Sequence, residues 1–271
     1  MKLLTLNTHS LVEDDYEKKL SLFTDAVVQV KPDIIAMQEV NQTASEKQVN
    51  GTGIICGDIP VKADNHVYRL TKMLRDRGAC YYWCWLGIKR GYDRYDEGLA
   101  LMSLSEIEKK EAILLSGEDN YTDWKTRKAL GIKTGGIWFY SVHTGWWDDN
   151  DEPFSEQWKR LSAHTENKAD VFLMGDFNAP AHKRNESYDM IKNSSWYDSF
   201  ELAEYKDDGV TADKAIDGWS SNGCGMRIDY IWCRKKADIL SSEIIFNGKN
   251  YPVVSDHYGV MIKTKDERKS Q

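Results

Sequence analysis

Val171-Phe172-Leu173-Met174-Gly175-Asp176-Phe177-Asn178 is a short apolar run that stops at a glycine and two polar side chains. A run this short, apolar throughout, reads as a strand buried on both faces. Polar groups placed where such a strand stops sit at the rim of a sheet. The same form recurs along the chain. Leu3 to Leu6 stops at Asn7, Ile34-Ile35-Ala36-Met37 stops at Gln38-Glu39, and Ser255-Asp256-His257 stands just before the strand expected near Tyr258–Ile262.

Outward from these strands, the spacing of Leu20, Phe23, Val27 and Val30 predicts a helix over 14–30, broken by Pro32-Asp33. Residues 41–64 read as a loop. Asp64 or Asn65 is then placed to cap a helix running through Met73 and Leu74, with Gly78 closing it. An aromatic strand, Tyr81 to Ile88, leads into a polar turn over 91–97, and Leu99 to Met102 and Ala112 to Leu115 read as strands. Gly135-Gly136 marks a hairpin between 129–133 and 137–142. Phe154, Trp158 and Leu161 have helical spacing before the strand at Val171, so strand-helix-strand occurs in both halves. A helix near 188–191, loops over 207–225 and strands near 228–232 and 239–246 complete the reading. These alternations predict one α/β domain over residues 1–265, two packed sheets with helices outside, and a solvated tail over 266–271.

With 271 residues, 41% hydrophobic and 29% charged, the chain has ample material for such a core. No apolar run approaches the about 20 residues that span a bilayer, and residues 1–7 are too soon polar for a signal peptide. Five cysteines, an odd number without a C-x-x-C pair, argue against a disulfide framework or structural zinc and suit a reducing cytoplasmic setting. The net charge of −7 disfavours a protein that grips duplex DNA, because its basic residues are scattered apart from clusters at 69–77 and 263–269.

Taken singly, the polar strand ends have ordinary explanations. Glu39 alone reads as a solvated carboxylate, Asp176 and Asn178 as turn formers, and His257 as a structural histidine. Asp229 is different, since Arg227-Ile228-Asp229-Tyr230-Ile231-Trp232 puts a carboxylate inside an apolar run, where it needs a partner. Jointly, Glu39, Asp176 and Asp256 lie at strand boundaries, where ligand sites of α/β folds gather. Carboxylates brought together repel unless a cation lies between them, and oxygen-only ligands suit Mg²⁺ or Mn²⁺ better than zinc.

Asn7, 32–40 (Pro-Asp-Ile-Ile-Ala-Met-Gln-Glu-Val), Glu97-Gly98-Leu99-Ala100-Leu101, His143-Thr144, Gly175-Asp176-Phe177-Asn178, Arg227-Ile228-Asp229-Tyr230-Ile231 and Ser255-Asp256-His257 follow one another in this order. In that order they resemble the endonuclease/exonuclease/phosphatase superfamily, which includes DNase I, abasic-site endonucleases, inositol phosphatases and sphingomyelinases. The resemblance runs from residue 7 to residue 257 and implies a four-layer α/β sandwich of two mixed sheets. It also implies roles. Glu39, Asn7 and Asp256 would hold the metal. Asp229 would orient His257, which acts as base or phosphate clamp. Asp176 would orient or deprotonate the attacking water, and Asn178 would donate to a phosphoryl oxygen. His143 would bind phosphate with Glu97 as its carboxylate partner.

The substrate has to be read from the variable loops. No basic loop suited to a DNA groove and no apolar membrane-contacting element is evident. Instead Gly91-Tyr92-Asp93-Arg94-Tyr95, His143-Thr144-Gly145-Trp146-Trp147 and Asp217-Gly218-Trp219 set aromatic rings beside polar groups, a combination suited to a sugar. Tyr95, Trp146, Trp147 and Trp219 are therefore candidate substrate contacts, any single tryptophan being open equally to a core-closing role. Arg127 is either a further cation at the site or a solvated arginine at a strand start. The motifs at 143–147, 95–100 and 4–9 also resemble a Gram-positive branch that includes maltose 6′-phosphate phosphatases and relatives encoded beside regulators. That resemblance implies a sugar-phosphate phosphatase acting on a small phosphorylated sugar. A DNase-type phosphodiesterase and a non-catalytic regulatory relative are the alternatives.

Overall fold

A computed structural model of the protein describes residues 1–49, 54–214, 216, 219 and 225–265. The tail from Asp266, the Asp217-Gly218 pair and Cys224 lie outside the described residues. The first half carries β1 (Lys2–Asn7), α1 (Tyr16–Val30), β2 (Ile34–Gln38), β3 (Gln42–Thr43), β4 (Ile54–Ile55), α2 (His66–Asp76), β5 (Tyr82–Gly91) and β6 (Tyr95–Ser103). There follow β7 (Lys109–Leu114), β8 (Lys128–Thr134), β9 (Ile137–His143), α3 (Phe154–Thr165), β10 (Val171–Asp176), α4 (Ser187–Asn193), β11 (Tyr197–Asp198) and α5 (Ser199–Leu202). Last come β12 (Tyr205–Lys206), β13 (Asp229–Cys233), β14 (Ile239–Ile245) and β15 (Gly259–Thr264).

Among the described residues the strands form two mixed sheets. The first runs β12-β14-β15-β1-β2-β6-β5-β4, with β3 paired to β6; the second runs β11-β13-β10-β9-β8-β7. Their faces explain why β1, β2 and β10 carry apolar residues on both sides rather than alternating. Leu3, Ile34, Ala36, Phe172 and Met174 point into the core between the sheets. Leu4, Leu6, Ile35 and Met37 point outward to α1 and α2, where they meet Leu20, Phe23, Val27, Leu70 and Leu74. Leu173 and Val171 do the same beneath α3 and α4, against Phe154, Trp158, Leu161 and Ile191. The result is a four-layer sandwich with the helices outside.

Local signals set most boundaries. Asn65 caps α2 by accepting from the Tyr68 N–H at 3.1 Å. Lys31, left-handed at φ 50°, closes α1 through its N–H to the Val27 carbonyl. Gly135 and Gly136, at φ 57° and 80°, supply the two left-handed residues that a tight hairpin between β8 and β9 requires. One expectation is corrected. The turn over 91–97 is shorter, because β6 already starts at Tyr95, with Asp96 opposite Arg90 and Glu97 opposite Lys89. The reversal is made by Tyr92 and Asp93, both left-handed.

The two sheets share a repeated unit that creates the site. β1 and β2 run parallel around α1, and β9 and β10 run parallel around α3. β15 is antiparallel to β1, and β13 is antiparallel to β10. Antiparallel strands begin where their neighbours end, so the ends of β1, β2, β9 and β10 and the starts of β13 and β15 meet at one edge. Beneath that edge Gln38 donates to the Ser141 hydroxyl at 2.9 Å, and Ser141 donates to the Met37 carbonyl at 2.8 Å, tying sheet to sheet.

Candidate active site

Six of the residues expected at the site are terminal strand residues or flank them. Asn7 ends β1, Glu39 follows β2, His143 ends β9, Asp176 ends β10, Asp229 starts β13, and His257 precedes β15. In register, Asp176 lies opposite His143 on one side and Asp229 on the other. Gly175 allows this approach. At φ +149° it brings the chain so close to β9 that a Cβ would lie 1.9 Å from the Val142 carbonyl oxygen.

Asn7 bridges the two sheets. Its Nδ2 donates to Glu39 Oε1 at 2.8 Å and to Asp176 Oδ2 at 3.2 Å. Glu39 is itself left-handed at φ 51°, a conformation held by Thr8 and Ser10, whose hydroxyls both donate to its carbonyl. Asp256 hangs from the 255–257 turn, where the Ser255 hydroxyl donates to the Asn7 carbonyl at 2.7 Å.

His257 is enclosed between two carboxylates. Its Nδ1 is 2.9 Å from Asp229 Oδ2, and its Nε2 is 3.8 Å from Asp176 Oδ2. Burial works against its cation, but the charge and hydrogen bond of Asp229, and then the charge of Asp176, outweigh it and hold the imidazole well above its usual range. Asp176 is pushed up to about 7, first by burial and then by the charge of Asp229. His143 is driven the other way. Burial, followed by the charges of Arg127 and Lys89, keeps it neutral. Its Nε2 is 3.5 Å from Asp176 Oδ2. Glu97, expected beside it, instead lies 3.3 Å from Lys89 Nζ.

Asn178, left-handed at φ 46°, accepts from the Trp219 indole at 2.9 Å and donates to the Thr144 carbonyl at 3.0 Å, leaving one amide N–H for a ligand. Trp219 thus supports Asn178. Trp146 and Arg127 line the cavity over this cluster. Trp147, half-buried, packs against the core that lies beneath α3 and α4. Tyr95 is buried, with its hydroxyl 3.3 Å from the Leu11 carbonyl. Its place in the lining is taken by Tyr92, three residues earlier.

His9, Lys89 and Trp124 also line the cavity, and sequence reasoning passed over them. Trp124 is 54% exposed, with its ring 6.1 Å from that of Trp146. A tryptophan within Asp123-Trp124-Lys125, in a loop of turn formers, was the signal available for it. His9 follows the Asn7 motif directly. Burial disfavours its cation, but the Glu13 hydrogen bond and the charges of Asp256 and Glu39 lift it to about 9.

The donor set fits a hard divalent cation. Glu39, Asp176 and Asp256 face one cavity of about 400 Å³. Burial, and then Glu97 and Asp256 over the opposing charge of His9, push the Glu39 carboxyl up, a crowding of carboxylates that a cation relieves. Among the described residues, Asp176, Asp229 and His257, and separately His9, Glu13 and Asp256, bring ligand-type atoms within 4.8 Å of one another.

Two mixed sheets packed face to face, helices outside, and a carboxylate–imidazole cluster on their common edge define a DNase I-like sandwich. The chain belongs to the endonuclease/exonuclease/phosphatase family, whose model matches residues 4–257. The family is one of metal-dependent phosphoesterases. An endonuclease/exonuclease/phosphatase family protein from Leptotrichia buccalis is similar over 98% of this chain and 100% of its own, at 30% identity and a TM-score of 0.88. A mannosyl-6-phosphatase from Bacteroides thetaiotaomicron matches over 98% and 100%, at 16% identity and a TM-score of 0.69. A 3′-5′ exonuclease from Neisseria meningitidis matches over the same shares at 17% and 0.67. The latter two share the fold. No curated protein matches the chain. No helix of the described residues is long and apolar enough to cross a membrane.

Proposed function

We propose that the protein is a divalent-metal-dependent phosphatase that hydrolyses a phosphomonoester of a small sugar. The observation that carries this reading is the wall of the cavity. Trp124 and Trp146, with Tyr92, set aromatic faces beside the carboxylate cluster, in an enclosure of about 400 Å³. Sugar C–H faces stack on such rings while hydroxyls take polar partners. Two arginines of the basic cluster at 69–77 are paired with α1 acids, Arg69 with Glu17 and Arg77 with Asp25, which does not favour a duplex-binding face. The mannosyl-6-phosphatase of the same fold is consistent with this choice. The exonuclease of the same fold keeps a phosphodiesterase as the second reading.

Glu39, Asn7 and Asp256 would hold Mg²⁺ or Mn²⁺, which supplies charge to phosphate oxygens as they develop it. His257, kept cationic by Asp229, donates to a phosphoryl oxygen, and the free N–H of Asn178 and neutral His143 donate beside it. Because His257 already carries its proton, Asp176 is the group left to take the proton of the attacking water. The water oxygen bonds to phosphorus, the ester P–O bond breaks, and the sugar leaves as its alcohol with a proton from solvent. Purified protein with Mg²⁺ or Mn²⁺ should be assayed against maltose 6′-phosphate, glucose 6-phosphate, an inositol phosphate, and nicked or abasic DNA. Phosphate release from sugar phosphates with DNA intact is expected; DNA cleavage with the sugar phosphates inert overturns the proposal.

A further inference from the structure

Lys89 and Arg127 are each only 5% exposed, yet both line the cavity. Lys89 has partners. Its Nζ donates to the Trp124 carbonyl at 2.6 Å and lies 3.3 Å from Glu97 Oε1. Arg127 is different. Its backbone N–H donates to the Ser116 hydroxyl at 3.2 Å, while its guanidinium lies 5.8 Å over the Trp146 ring. Among the described residues that guanidinium has no hydrogen bond or ion pair. A guanidinium offers five donors in a fixed fork and does not give up its charge. Enclosing one without an anion is costly unless a ligand completes it. The two cations also feel each other, for burial and then Arg127 bring Lys89 down to about 8.

We propose that Arg127 and Lys89 form an anion clamp for the outer oxygens of a terminal phosphate, and that this clamp makes the site select monoesters over diesters. The inference rests on the reading of the site as a phosphoesterase and settles which ester it takes. A phosphomonoester carries about −1.5 to −2 charge at neutral pH and three unsubstituted oxygens. A diester carries one charge and two such oxygens. The second charge and the third oxygen are what an additional fork donor and an additional ammonium reward. In a diester the third oxygen bears carbon and meets the Arg127–Trp146 wall with nothing to accept its N–H groups. The loop that carries Arg127 also carries Trp124, whose carbonyl Lys89 holds, so clamp and sugar platform are fixed as one unit.

The test compares kcat/KM for p-nitrophenyl phosphate and bis(p-nitrophenyl) phosphate with Mn²⁺ in wild type, Arg127→Met, Arg127→Lys and Lys89→Met. Calorimetry of inorganic phosphate with the same metal and a thermal melt accompany each variant. Arg127→Met is expected to lose about 100-fold in monoester kcat/KM, the size expected for one buried charge pair, largely in KM. Its diester kcat/KM should fall by much less, its phosphate affinity should fall in parallel with the monoester loss, and Arg127→Lys should recover part of both. Equal losses on the two esters, or an unchanged phosphate affinity in a folded Arg127→Met protein, overturn the clamp. A wild type that prefers the diester overturns the phosphomonoesterase reading and the selectivity together. If neither ester turns over, the calorimetric result still decides the clamp.

Discussion

Replacing Asp229 by asparagine tests the site at its least exposed point. Asp229 is 0% exposed, and its Oδ2 is the 2.9 Å partner of His257 Nδ1. The variant keeps the volume and removes one charge. Among the described residues His257 then retains Asp176, 3.8 Å away, as its nearest counter-charge. A hydrogen bond between charged, water-excluded groups contributes about 2–3 kcal/mol. Each 1.36 kcal/mol is tenfold in rate, so kcat should fall about 30- to 150-fold. The sign of the pH effect follows from the cause of the shift. Asp229 supports the cationic form of His257, so its removal lowers the His257 pKa, and the alkaline limb of the kcat profile moves to lower pH. Asp176, which Asp229 helps to push up, should titrate lower as well, moving the acid limb in the same direction. Steady-state kinetics from pH 5 to 10 with saturating metal, together with a melt to confirm folding, measure all three. A folded Asp229→Asn protein with kcat near wild type and both limbs in place would refute the assignment of His257 as a cation held by Asp229.

Gly175→Ala forces a Cβ to 1.9 Å from the Val142 carbonyl at φ +149°. Urea unfolding should show a loss of about 3 kcal/mol or more, with activity reduced because Asp176 is next in the chain. Arg227→Met leaves Asp198, 3% exposed, without the ion-pair partner that now stands at 2.6 Å, and removes the cation over the Phe200 and Tyr230 rings. A destabilisation of about 3–5 kcal/mol is expected in the same assay. His66 is buried against Phe23, and burial followed by the charge of Arg69 lowers its pKa from 6.5 to about 3. The unfolded chain therefore binds the proton first. This stabilisation is complete above pH 6.5 and is lost as pH falls toward 3, amounting to about 2 kcal/mol between pH 7 and pH 5. Wild type should lose that much more than His66→Phe over this interval; parallel losses would refute it.

Much of the architecture was open to the sequence because it is written locally. An apolar run of strand length, closed by a polar pair, needs no distant information to be recognised, and β1, β2, β10 and β15 each have that form. The helical spacing of Leu20, Phe23 and Val27 likewise reports one buried face. The order of the strand-end motifs carried the family resemblance, because most of these polar residues end or adjoin the strand that delivers them, Asn7 and Asp176 closing it, Glu39 following it and His257 preceding it.

What tertiary structure decided is which of these ends meet and which way the loop side chains face. Asn7 reaches Asp176 across 169 residues of chain only because two sheets pack face to face. His143 lies beside Asp176, while Glu97 is drawn to Lys89 on the neighbouring strand of its own hairpin. No local pattern distinguishes Trp146, which lines the cavity, from Trp147, which packs against the core, since adjacent side chains diverge according to what packs against them. Trp124 faces the cavity because Lys89 holds its carbonyl and Lys125 is anchored on Asp149 and Asp151. By itself, then, the sequence determined the longer strands, their order along the chain and the polar groups at their ends, since those depend on neighbours along the chain. The two-residue strands β3, β4, β11 and β12 carry no such pattern. The partners of those polar groups and the wall of the cavity depend on contacts between distant segments, which form only once the sandwich has closed.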